Sequence, residues 1–253
     1  MALELFCGSG HFTAAARRLG LSGLGLDVLQ SPLEDHLCPS FERVVVGWLR
    51  SRAIAAVFLG TPCTTWSRAL RKPLRTRELP MGIGGLSASE TARLTAGNAS
   101  FLFTCRIIRV CCKLNIPVML ENPASSVMWH ARPLASLILS ESARVCDFDQ
   151  CQFGTPWQKK TRIAAWQTGP LVGLDRLCTG RRGICSRTGH PHIILSGQAP
   201  QGCKYTALAA AYPSSLSNVI AKIVRDAILQ RPKQAMADLV SKSQALSNHR
   251  AVI

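Results

Sequence analysis

The sequence predicts an α/β fold in which helices cover both faces of an open, mostly parallel sheet. The first of three observations is a short apolar segment, Leu3–Phe6, that runs into a glycine-rich turn and then into a helix-forming segment. The second is an apolar run, Ile54–Gly60, with the length and composition of a fully covered parallel strand. The third is a similar run, Ile116–Leu120. Strands of this kind alternating with helices are typical of doubly wound α/β proteins.

The size and charge of the chain narrow the class of protein further. Its 253 residues suffice for one sizeable core and a small appendage, and its 47% apolar content is that of a globular chain. Thirty Lys and Arg residues against fourteen acids give a net charge of +16. That charge favours a polyanionic partner, most simply nucleic acid, with a basic protein that has no such ligand as the alternative.

Cysteine usage and the lack of export or membrane signals indicate the compartment. The eleven cysteines are an odd number spread over apparent core and loops, which favours free thiols over a disulfide frame. No apolar stretch is long enough to span a bilayer, and residues 1–6 do not resemble a signal peptide. We therefore expect an intracellular monomer without membrane contact, nuclear if the source is eukaryotic and cytoplasmic otherwise.

The first unit of the predicted sheet has the features of a nucleotide-binding turn. Strand Leu3–Phe6 leads into Cys7-Gly8-Ser9-Gly10, and Phe12–Leu19 has helical character. Glycines let the backbone approach a ligand closely, and the helix N-terminus offers unpaired N–H donors. The next strand, Leu21–Leu26, ends in Asp27, which is well placed to bind a ribose diol. A solvated loop acid is the alternative for Asp27.

Cys63 is the residue around which the prediction of chemistry is organised. Gly60, Thr61 and Pro62 stop the strand, so Cys63 is expected just past its carboxyl end, at the edge where open α/β sheets bind ligands. Arg68, Arg71 and Lys72 follow closely, and we expect their positive field to lower the pKa of the thiol and favour the thiolate. A small buried cysteine is the alternative.

A basic loop and a long helix follow Cys63. Residues 68–77 contain five cations and no acid, and Met81–Leu86 is rich in glycine, which indicates a mobile loop that closes on a phosphate backbone. Ser87 and Glu90 predict a capping box at the start of a helix that extends to about residue 114. The predicted nucleic-acid-binding residues are Arg68, Arg71, Lys72, Arg75 and, further along the chain, Lys160.

A second strand delivers an acid to the same edge of the sheet. Ile116–Leu120 ends in Glu121-Asn122-Pro123, so Glu121 is expected at the strand end neighbouring Cys63. A thiol and an acid at adjacent strand ends suit covalent chemistry with proton transfer. An exposed loop acid is the alternative.

The remainder of the chain predicts a smaller, loop-rich region. After a short helix at about 131–141, residues 145–166 lead into a further strand, and the span 170–204 is rich in loops. We predict no metal site there, because the spacing of its cysteines and histidines matches no standard ligand pattern. The weak candidates for metal ligands are Cys178, Cys185, His190, His192 and Cys203. Residues 205–228 predict a helix, a break at Pro213 and a second helix.

Taken together, these segments resemble the motif series of the DNA (cytosine-5)-methyltransferases, in that family's order and over most of residues 3–228. The similar segments are the methyl-donor turn (5–10), the Pro-Cys nucleophile loop (61–63), the Glu-Asn pair (121–122), the Gly-x-Pro-Gln-x-Arg-x-Arg segment (153–162) and the last two motifs (205–224). The chain departs from the usual pattern at His11, Thr64, Pro123 and Lys160. The tripeptide Glu121-Asn122-Pro123 resembles the corresponding segment in compact, virus- and mobile-element-like members of the family.

The resemblance implies a Rossmann-like, doubly wound methyltransferase fold with a much reduced target-recognition region. Residues 1–166 would form the catalytic domain that binds S-adenosyl-L-methionine, and 167–204 a short, loop-rich region that resembles the target-recognition region. Residues 205–230 would form C-terminal helices that return to the catalytic domain, and 231–253 a polar tail.

The resemblance also implies roles for individual residues. Cys63 would attack carbon 6 of a flipped-out cytosine, Glu121 would hold ring nitrogen 3 and the exocyclic amine, and Arg162 would bind the 2-carbonyl. The residues implied to bind the cofactor are Phe6, Cys7, Gly8, Ser9, Gly10, Asp27 and Pro62. The implied partner is DNA, with methylation at carbon 5 of cytosine as the reaction.

Two other functions stay open at the level of sequence. The same chemistry permits an RNA cytosine substrate, and a catalytically inactive nucleic-acid-binding relic would keep the fold and the charge. Methylation of an amino group is less expected, because Asn122-Pro123 is followed by Ala124 and Ser125 and not by proline and an aromatic residue.

Overall fold

The structure is a computed structural model that describes residues 1–67, 70 and 72–231. Within them, a six-stranded sheet has the strand order β2-β1-β3-β4-β6-β5. The strands are β1 (Ala2–Leu5), β2 (Gly23–Leu26), β3 (Ala56–Leu59), β4 (Val118–Pro123), β5 (Arg144–Asp149) and β6 (Lys160–Trp166). The helices are α1 (His11–Arg18), α2 (Pro39–Arg50), α3 (Ala88–Lys113), α4 (Arg132–Ser140), α5 (Tyr205–Leu208) and α6 (214–231).

The direction of the strands brings the predicted site residues to one edge. The first four strands are parallel to their neighbours, whereas β6 is antiparallel to both β4 and β5. The carboxyl ends of β1 to β4 therefore lie at the same edge as the amino end of β6. β3 is fully buried and parallel to both neighbours, as its apolar sequence predicts.

Two hydrophobic cores cover the two faces of the sheet, which confirms the doubly wound α/β prediction. On one face, Leu3 and Leu5 of β1 belong to a core with buried residues of α2, α3 and α4. On the other face, Ala2 belongs to a core with Phe12 of α1 and Leu216 of α6. Because side chains alternate along a strand, Glu4 lies on this second face, where it is buried.

Two of the helices begin at start signals that are visible in the sequence. The capping box predicted at α3 is confirmed, since the hydroxyl of Ser87 accepts from the Glu90 amide and the Glu90 carboxylate accepts from the Ser87 amide at 2.8 Å. Helix α2 contains the apolar run 44–46 and has Pro39 in its first turn. None of the helices in the described part of the chain has both the length and the apolar content that crossing a bilayer requires.

The span 167–204 holds no helix, and its β-structure is limited to two isolated bridges. It is therefore loop-rich, as predicted. The break predicted at Pro213 is also confirmed, because α5 ends at Leu208 and α6 spans 214–231. All of the predicted polar tail beyond residue 231 lies outside the described residues.

Candidate active site

The turn after β1 is held by the acid at the end of β2. The amide of Gly8 donates to Oδ2 of Asp27 at 2.9 Å, and Oδ1 of the same carboxylate accepts from the amide of Leu29 at 2.9 Å. Gly8 and Gly10 have φ of 50° and 66°, and a Cβ at either position would meet no atom within 4 Å. The turn is therefore strained for any other residue and faces open space.

A small cavity lies between this turn and helix α3. Its lining includes Phe6, Asp27, Glu34, His36 and Phe103. The ring of Phe6 meets that of His36 edge-on, with 4.7 Å between centroids, and Glu34 accepts from the amide of Asp27 at 2.7 Å. The cavity, of about 10 Å³, admits no more than a water-sized group as it stands. Its aromatic rings and its two carboxylates, which accept hydrogen bonds, are nevertheless the groups that suit a nucleoside with free hydroxyls.

The other residues predicted for the cofactor differ in their exposure. Ser9 and Pro62 are exposed, whereas Cys7 is buried. Burial raises the pKa of the Cys7 thiol to about 12, and its sulfur accepts from Nε2 of Gln30 at 3.2 Å. Cys7 is thus a packed, unreactive thiol, while Phe6 and Asp27 line the cavity.

Cys63 follows the carboxyl end of β3, as predicted, on a loop that its neighbours hold in place. The carbonyl of Cys63 accepts from the Trp66 amide at 2.9 Å. The hydroxyl of Thr61 lies 2.8 Å from that of Thr104, and the Thr61 carbonyl accepts from Nδ2 of Asn122 at 2.8 Å. The Cys63 loop is therefore bound to α3 and to β4.

Glu121 is a buried carboxylate with one free oxygen. Its side chain is 5% exposed, and Oε2 accepts from the hydroxyl of Tyr212 at 2.7 Å. Oε1 is buried and has no hydrogen-bond partner among the described residues. A buried acceptor without a partner is costly, so this oxygen is suited to a ligand that donates a hydrogen bond.

The pKa of the Cys63 thiol is shifted in the direction opposite to the one that the sequence predicts. The pKa of the Cys63 thiol is raised, first by burial and then by the nearby carboxylate of Glu121. The charge of Lys159 acts in the opposite direction and lowers it. The prediction of a lowered pKa was wrong because desolvation and the acid outweigh the positive field. The hydrogen bond from Asn122 to the Thr61 carbonyl joins the Cys63 loop to the strand end that carries Glu121.

Lys159 is a site residue that the sequence interpretation missed. Its Nζ donates to the carbonyl of Ala209 at 3.0 Å, and its charge acts on the Cys63 thiol. The neighbouring Lys160, predicted to bind nucleic acid, is exposed at the start of β6. The side chains of adjacent residues in an extended segment point to opposite sides. The sequence Lys159-Lys160 therefore predicts that one of the two lysines faces the site, but it does not show which one.

Arg162 lies on the other face of the sheet from Glu121. The register pairs Arg162 with Asn122 on β4 and with Asp147 on β5, whereas Glu121 pairs with Ile163. The guanidinium of Arg162 forms a bidentate ion pair with Asp147, at 2.6 and 2.9 Å, and lies 5.6 Å from the centre of the Trp129 ring. The structure therefore does not bring Arg162 together with Cys63 and Glu121, because register assigns it to the opposite face.

Tyr212 connects the C-terminal helices to both strand ends, and the sequence interpretation gave it no role. Its carbonyl is hydrogen-bonded to Nδ1 of His11 at the start of α1. A Cβ at Gly60 would lie 3.1 Å from the Tyr212 hydroxyl and 3.0 Å from the carbonyl of Phe6. Burial, followed by the charge of Glu121, raises the pKa of Tyr212 well above its usual value of 10. The phenol thus stays protonated and donates to Glu121.

The described residues of the basic loop differ from the prediction. Arg75 is 3% exposed, its guanidinium lies 3.5 Å from the centre of the Trp66 ring, and burial lowers its pKa to about 10. It donates to the carbonyls of Thr65 and Pro80 and to Oδ1 of Asn98. Arg75 therefore supports the Cys63 loop and is not available to a phosphate, which corrects the prediction for this residue.

Among the other predicted phosphate-binding residues, Lys72 is exposed and pairs with Glu90 at 2.9 Å. Arg68 and Arg71 lie outside the described residues. The weak metal candidates divide into two groups. Cys178, Cys185 and His192 lie together with Cys151, whereas His190 and Cys203 are not part of that group.

Comparisons with known proteins give a limited result. No protein-family model matches the sequence, and no curated protein matches it. The methyltransferase EhMeth of Entamoeba histolytica is similar over 68% of this chain and 54% of its own, with 11% identity and a TM-score of 0.39. A mutant of DNMT2 from Spodoptera frugiperda is similar over 65% of this chain and 49% of its own, with 16% identity and a TM-score of 0.37. The chain spans about half the length of these solved proteins.

Proposed function

We propose that this chain is an S-adenosylmethionine-dependent methyltransferase that modifies carbon 5 of cytosine in DNA through a covalent Cys63 adduct. The observation that carries the proposal is the convergence of Cys63 and Glu121. A partly exposed thiol on the loop after β3 and a buried carboxylate with an unpartnered oxygen on β4 lie at adjacent strand ends, which the hydrogen bond between Thr61 and Asn122 joins. In open α/β sheets this edge is where ligands bind. The order of motifs in the sequence supports the same assignment.

The glycine turn and the groups beside it have the chemistry that the proposed cofactor needs. The open space in front of Gly8 and Gly10 admits a close ligand, and the carboxylates of Asp27 and Glu34 suit ribose hydroxyls. Phe6 and His36 offer ring surfaces for a base. S-Adenosylmethionine would supply an electrophilic methyl group when bound there.

Cys63 and Glu121 are suited to activating a cytosine. Carbon 5 of cytosine is a poor nucleophile, and addition of the Cys63 thiolate to carbon 6 makes it enamine-like. As the S–C bond forms at carbon 6, the electrons of the 5,6 double bond move toward carbon 5 and nitrogen 3. A proton shared between Oε1 of Glu121 and nitrogen 3 passes to nitrogen 3 and offsets the charge. After carbon 5 has taken the methyl group, its proton passes to water and nitrogen 3 returns its proton to Glu121. The electrons of the carbon 5–hydrogen bond re-form the 5,6 double bond as the S–C bond to carbon 6 breaks and Cys63 departs as the thiolate.

Lys159 and Tyr212 support these two groups. Because burial raises the pKa of Cys63, the thiolate needs a nearby cation, and Lys159 is the residue whose charge lowers that pKa. Tyr212 holds one oxygen of Glu121, which leaves Oε1 for the exocyclic amine or nitrogen 3 of the base. Both are positioning residues in this proposal.

The charge of the chain supports a nucleic-acid substrate. A net charge of +16 with exposed lysines such as Lys72 and Lys160 favours phosphate contacts, and binding should weaken steeply as salt is raised. A base in a duplex cannot reach such a pocket without being flipped out, which costs roughly a few kcal/mol. RNA cytosine is the alternative substrate.

One observation favours a second candidate, a nucleic-acid-binding protein without turnover. The guanidinium of Arg162, which the family resemblance assigns to the substrate carbonyl, is held by Asp147. A protein whose Arg162 no longer contacts the substrate carbonyl would keep the fold and the positive charge.

Radiolabelled methyl transfer onto matched DNA and RNA, with identification of the product base, tests the proposal. We expect 5-methylcytosine in DNA, and a covalent adduct with an oligonucleotide that contains 5-fluorocytosine. The adduct should vanish in Cys63→Ala and persist in Cys38→Ala, which removes an exposed cysteine outside the site. Donor binding without any adduct favours the inactive relic, and labelled RNA without labelled DNA favours the RNA enzyme.

A further inference from the structure

We infer that Cys151, Cys178, Cys185 and His192 form a zinc site that fixes the loop-rich region 167–204 to the sheet. Each residue offers one ligand atom, and the four atoms all lie within 4.8 Å of one another. The group includes neither Cys63 nor Glu121 and has no part in the proposed methyl transfer. It therefore holds whether or not that proposal does.

The spacing of the ligand atoms is that of a tetrahedral site. A zinc ion bound to sulfur at about 2.3 Å separates neighbouring tetrahedral ligand atoms by about 3.8 Å. Sγ of Cys178 lies 3.7 Å from Nε2 of His192. None of the three cysteines is in a disulfide, since all eleven cysteines of the chain are free. The geometry leaves room for one ion between four converging side chains.

The chemistry of the ligands selects the metal. Three sulfurs and one imidazole are soft or borderline ligands, and the group includes no carboxylate. This set favours zinc over calcium or magnesium, which prefer oxygen. With four protein ligands the coordination is complete, and such closed sites are structural.

The chain builds the site from three separate segments. Cys151 lies in the single 3-10 turn that follows β5, and Cys178 in an extended segment of the loop region. Cys185 and His192 come from a tight hairpin that is closed by a bridge between Ile184 and Pro191. In that hairpin the amide of Cys185 donates to the carbonyl of His190 at 2.8 Å. Because Cys151 lies far from the other three ligands in the sequence, the four residues do not show a standard ligand spacing.

Groups around the sulfurs donate to them, as expected around thiolate ligands. The amide of Ser186 lies 3.4 Å from the sulfur of Cys178, and the hydroxyl of Ser186 lies 3.5 Å from the same sulfur. Nε2 of Gln152 lies 3.5 Å from the sulfur of Cys151. Such hydrogen bonds orient the ligands of metal sites and offset their negative charge.

Glycine permits the close crossing that brings the ligands together. A Cβ at Gly180 would lie 1.8 Å from the carbonyl oxygen of Ile184 and 2.8 Å from the amide of Ser186. Only a residue without a side chain allows the segment of Cys178 to pass this close to the hairpin of Cys185. The backbone is therefore shaped for the convergence of these ligands.

The proposed ion would replace a hydrophobic core that this region lacks. Within 167–204 the buried apolar residues are Leu174, Cys185 and Ala199. Regions with so small a core commonly need a metal or disulfides for stability. Through Cys151, the site would join the region to the turn that precedes Lys159 and β6.

The test is the metal content of the full chain, purified under reducing conditions and without chelators. Mass spectrometry of the elements should find about one zinc per chain, as for a single closed site. After zinc is removed at low pH and replaced with Co²⁺, we expect the visible bands of tetrahedral cobalt and a sulfur-to-cobalt charge-transfer band. A wild-type chain that holds no zinc and gives no such bands would overturn the inference.

Matched variants identify the ligands. Cys178→Ser and His192→Ala should lose most of the zinc, whereas Cys203→Ser and His190→Ala, which alter the same region outside the group, should retain it. Because a ligand variant can fail to fold, His192→Cys provides a second measurement, since it restores four ligands and should bind zinc with a cobalt spectrum shifted toward four sulfurs. Equal zinc loss in the ligand and control variants, or zinc retained in both ligand variants, would contradict the site.

Discussion

The phenol of Tyr212 donates to Oε2 of Glu121 at 2.7 Å, and both side chains are buried. Tyr212 precedes α6, whereas Glu121 lies in β4, so this bond joins the C-terminal part of the chain to the ligand-binding edge of the sheet. It leaves Oε1 of Glu121 buried and without a partner among the described residues, and under the proposed function this is the oxygen offered to the base. The contact therefore determines which oxygen of the carboxylate a base would meet.

Replacement of Tyr212 by phenylalanine should lower kcat and leave donor affinity nearly unchanged. The change removes the hydroxyl and keeps the ring, so Glu121 loses its buried partner. A loss of about 1–3 kcal/mol is usual for such a group, which is about five- to 150-fold in rate if all of it falls on the transition state. Single-turnover methylation and calorimetric titration of the donor measure the two effects. Tyr205→Phe, the change at the other tyrosine of the chain, serves as the control and should have little effect. A normal rate in Tyr212→Phe would remove the residue from the site.

A methyl group at Gly60 should disturb the same contact from the strand side. In Gly60→Ala the new Cβ would lie 3.0 Å from the Phe6 carbonyl and 3.1 Å from the Tyr212 hydroxyl, so one of them must move. We expect a loss of about 1–3 kcal/mol in the free energy of unfolding, together with slower methylation. Urea unfolding and initial rates measure both. Gly47→Ala, where a Cβ would meet nothing within 4 Å, should leave the rate unchanged and raise the free energy of unfolding by up to about 1 kcal/mol, because alanine is the better helix former within α2.

The rate at which the Cys63 thiol is alkylated should increase with pH, and the raised pKa of the thiol sets the pH range of that increase. Burial and Glu121 favour the neutral thiol, so thiolate accumulates only as the pH passes above the usual value for cysteine. Lys159 lowers that pKa, and Lys159→Met should therefore shift the profile to still higher pH. Alkylation of Cys63 by iodoacetamide, followed by peptide mass spectrometry, measures the profile without substrate. Lys160→Met, the matched change at the exposed neighbour, should leave the profile of Cys63 in place.

Arg75 should matter for stability and not for phosphate binding. Its guanidinium contacts the Trp66 ring and donates to Thr65, so Arg75→Met leaves buried acceptors without partners, at an expected loss of about 2–4 kcal/mol. Arg75→Lys should recover little, because an ammonium cannot reproduce the planar fork. Urea unfolding measures the loss. The contrasting variant, Lys72→Met, should unfold like the wild type and reduce the salt dependence of DNA binding, and the reverse pattern would restore the prediction from sequence.

The sequence by itself determined most of the strands and helices and which residues end β3 and β4, although helix α2 and strand β5 were not predicted. Apolar runs bounded by glycine and proline, and the Ser87–Glu90 capping box, are local signals, so the doubly wound sheet and the adjacent positions of Cys63 and Glu121 were predictable. Parallel order brings such strand ends to one edge, whatever the details of packing.

Only the tertiary structure decided the faces, the partners and the charges. The register of the antiparallel strand β6 places Arg162 against Asp147, and packing buries Arg75 against Trp66. The raised pKa of Cys63 depends on burial and on Glu121, which is distant in sequence. These outcomes rest on contacts between remote segments and on desolvation, neither of which has a local sequence pattern. The same reason concealed Cys151 as the fourth member of its cluster.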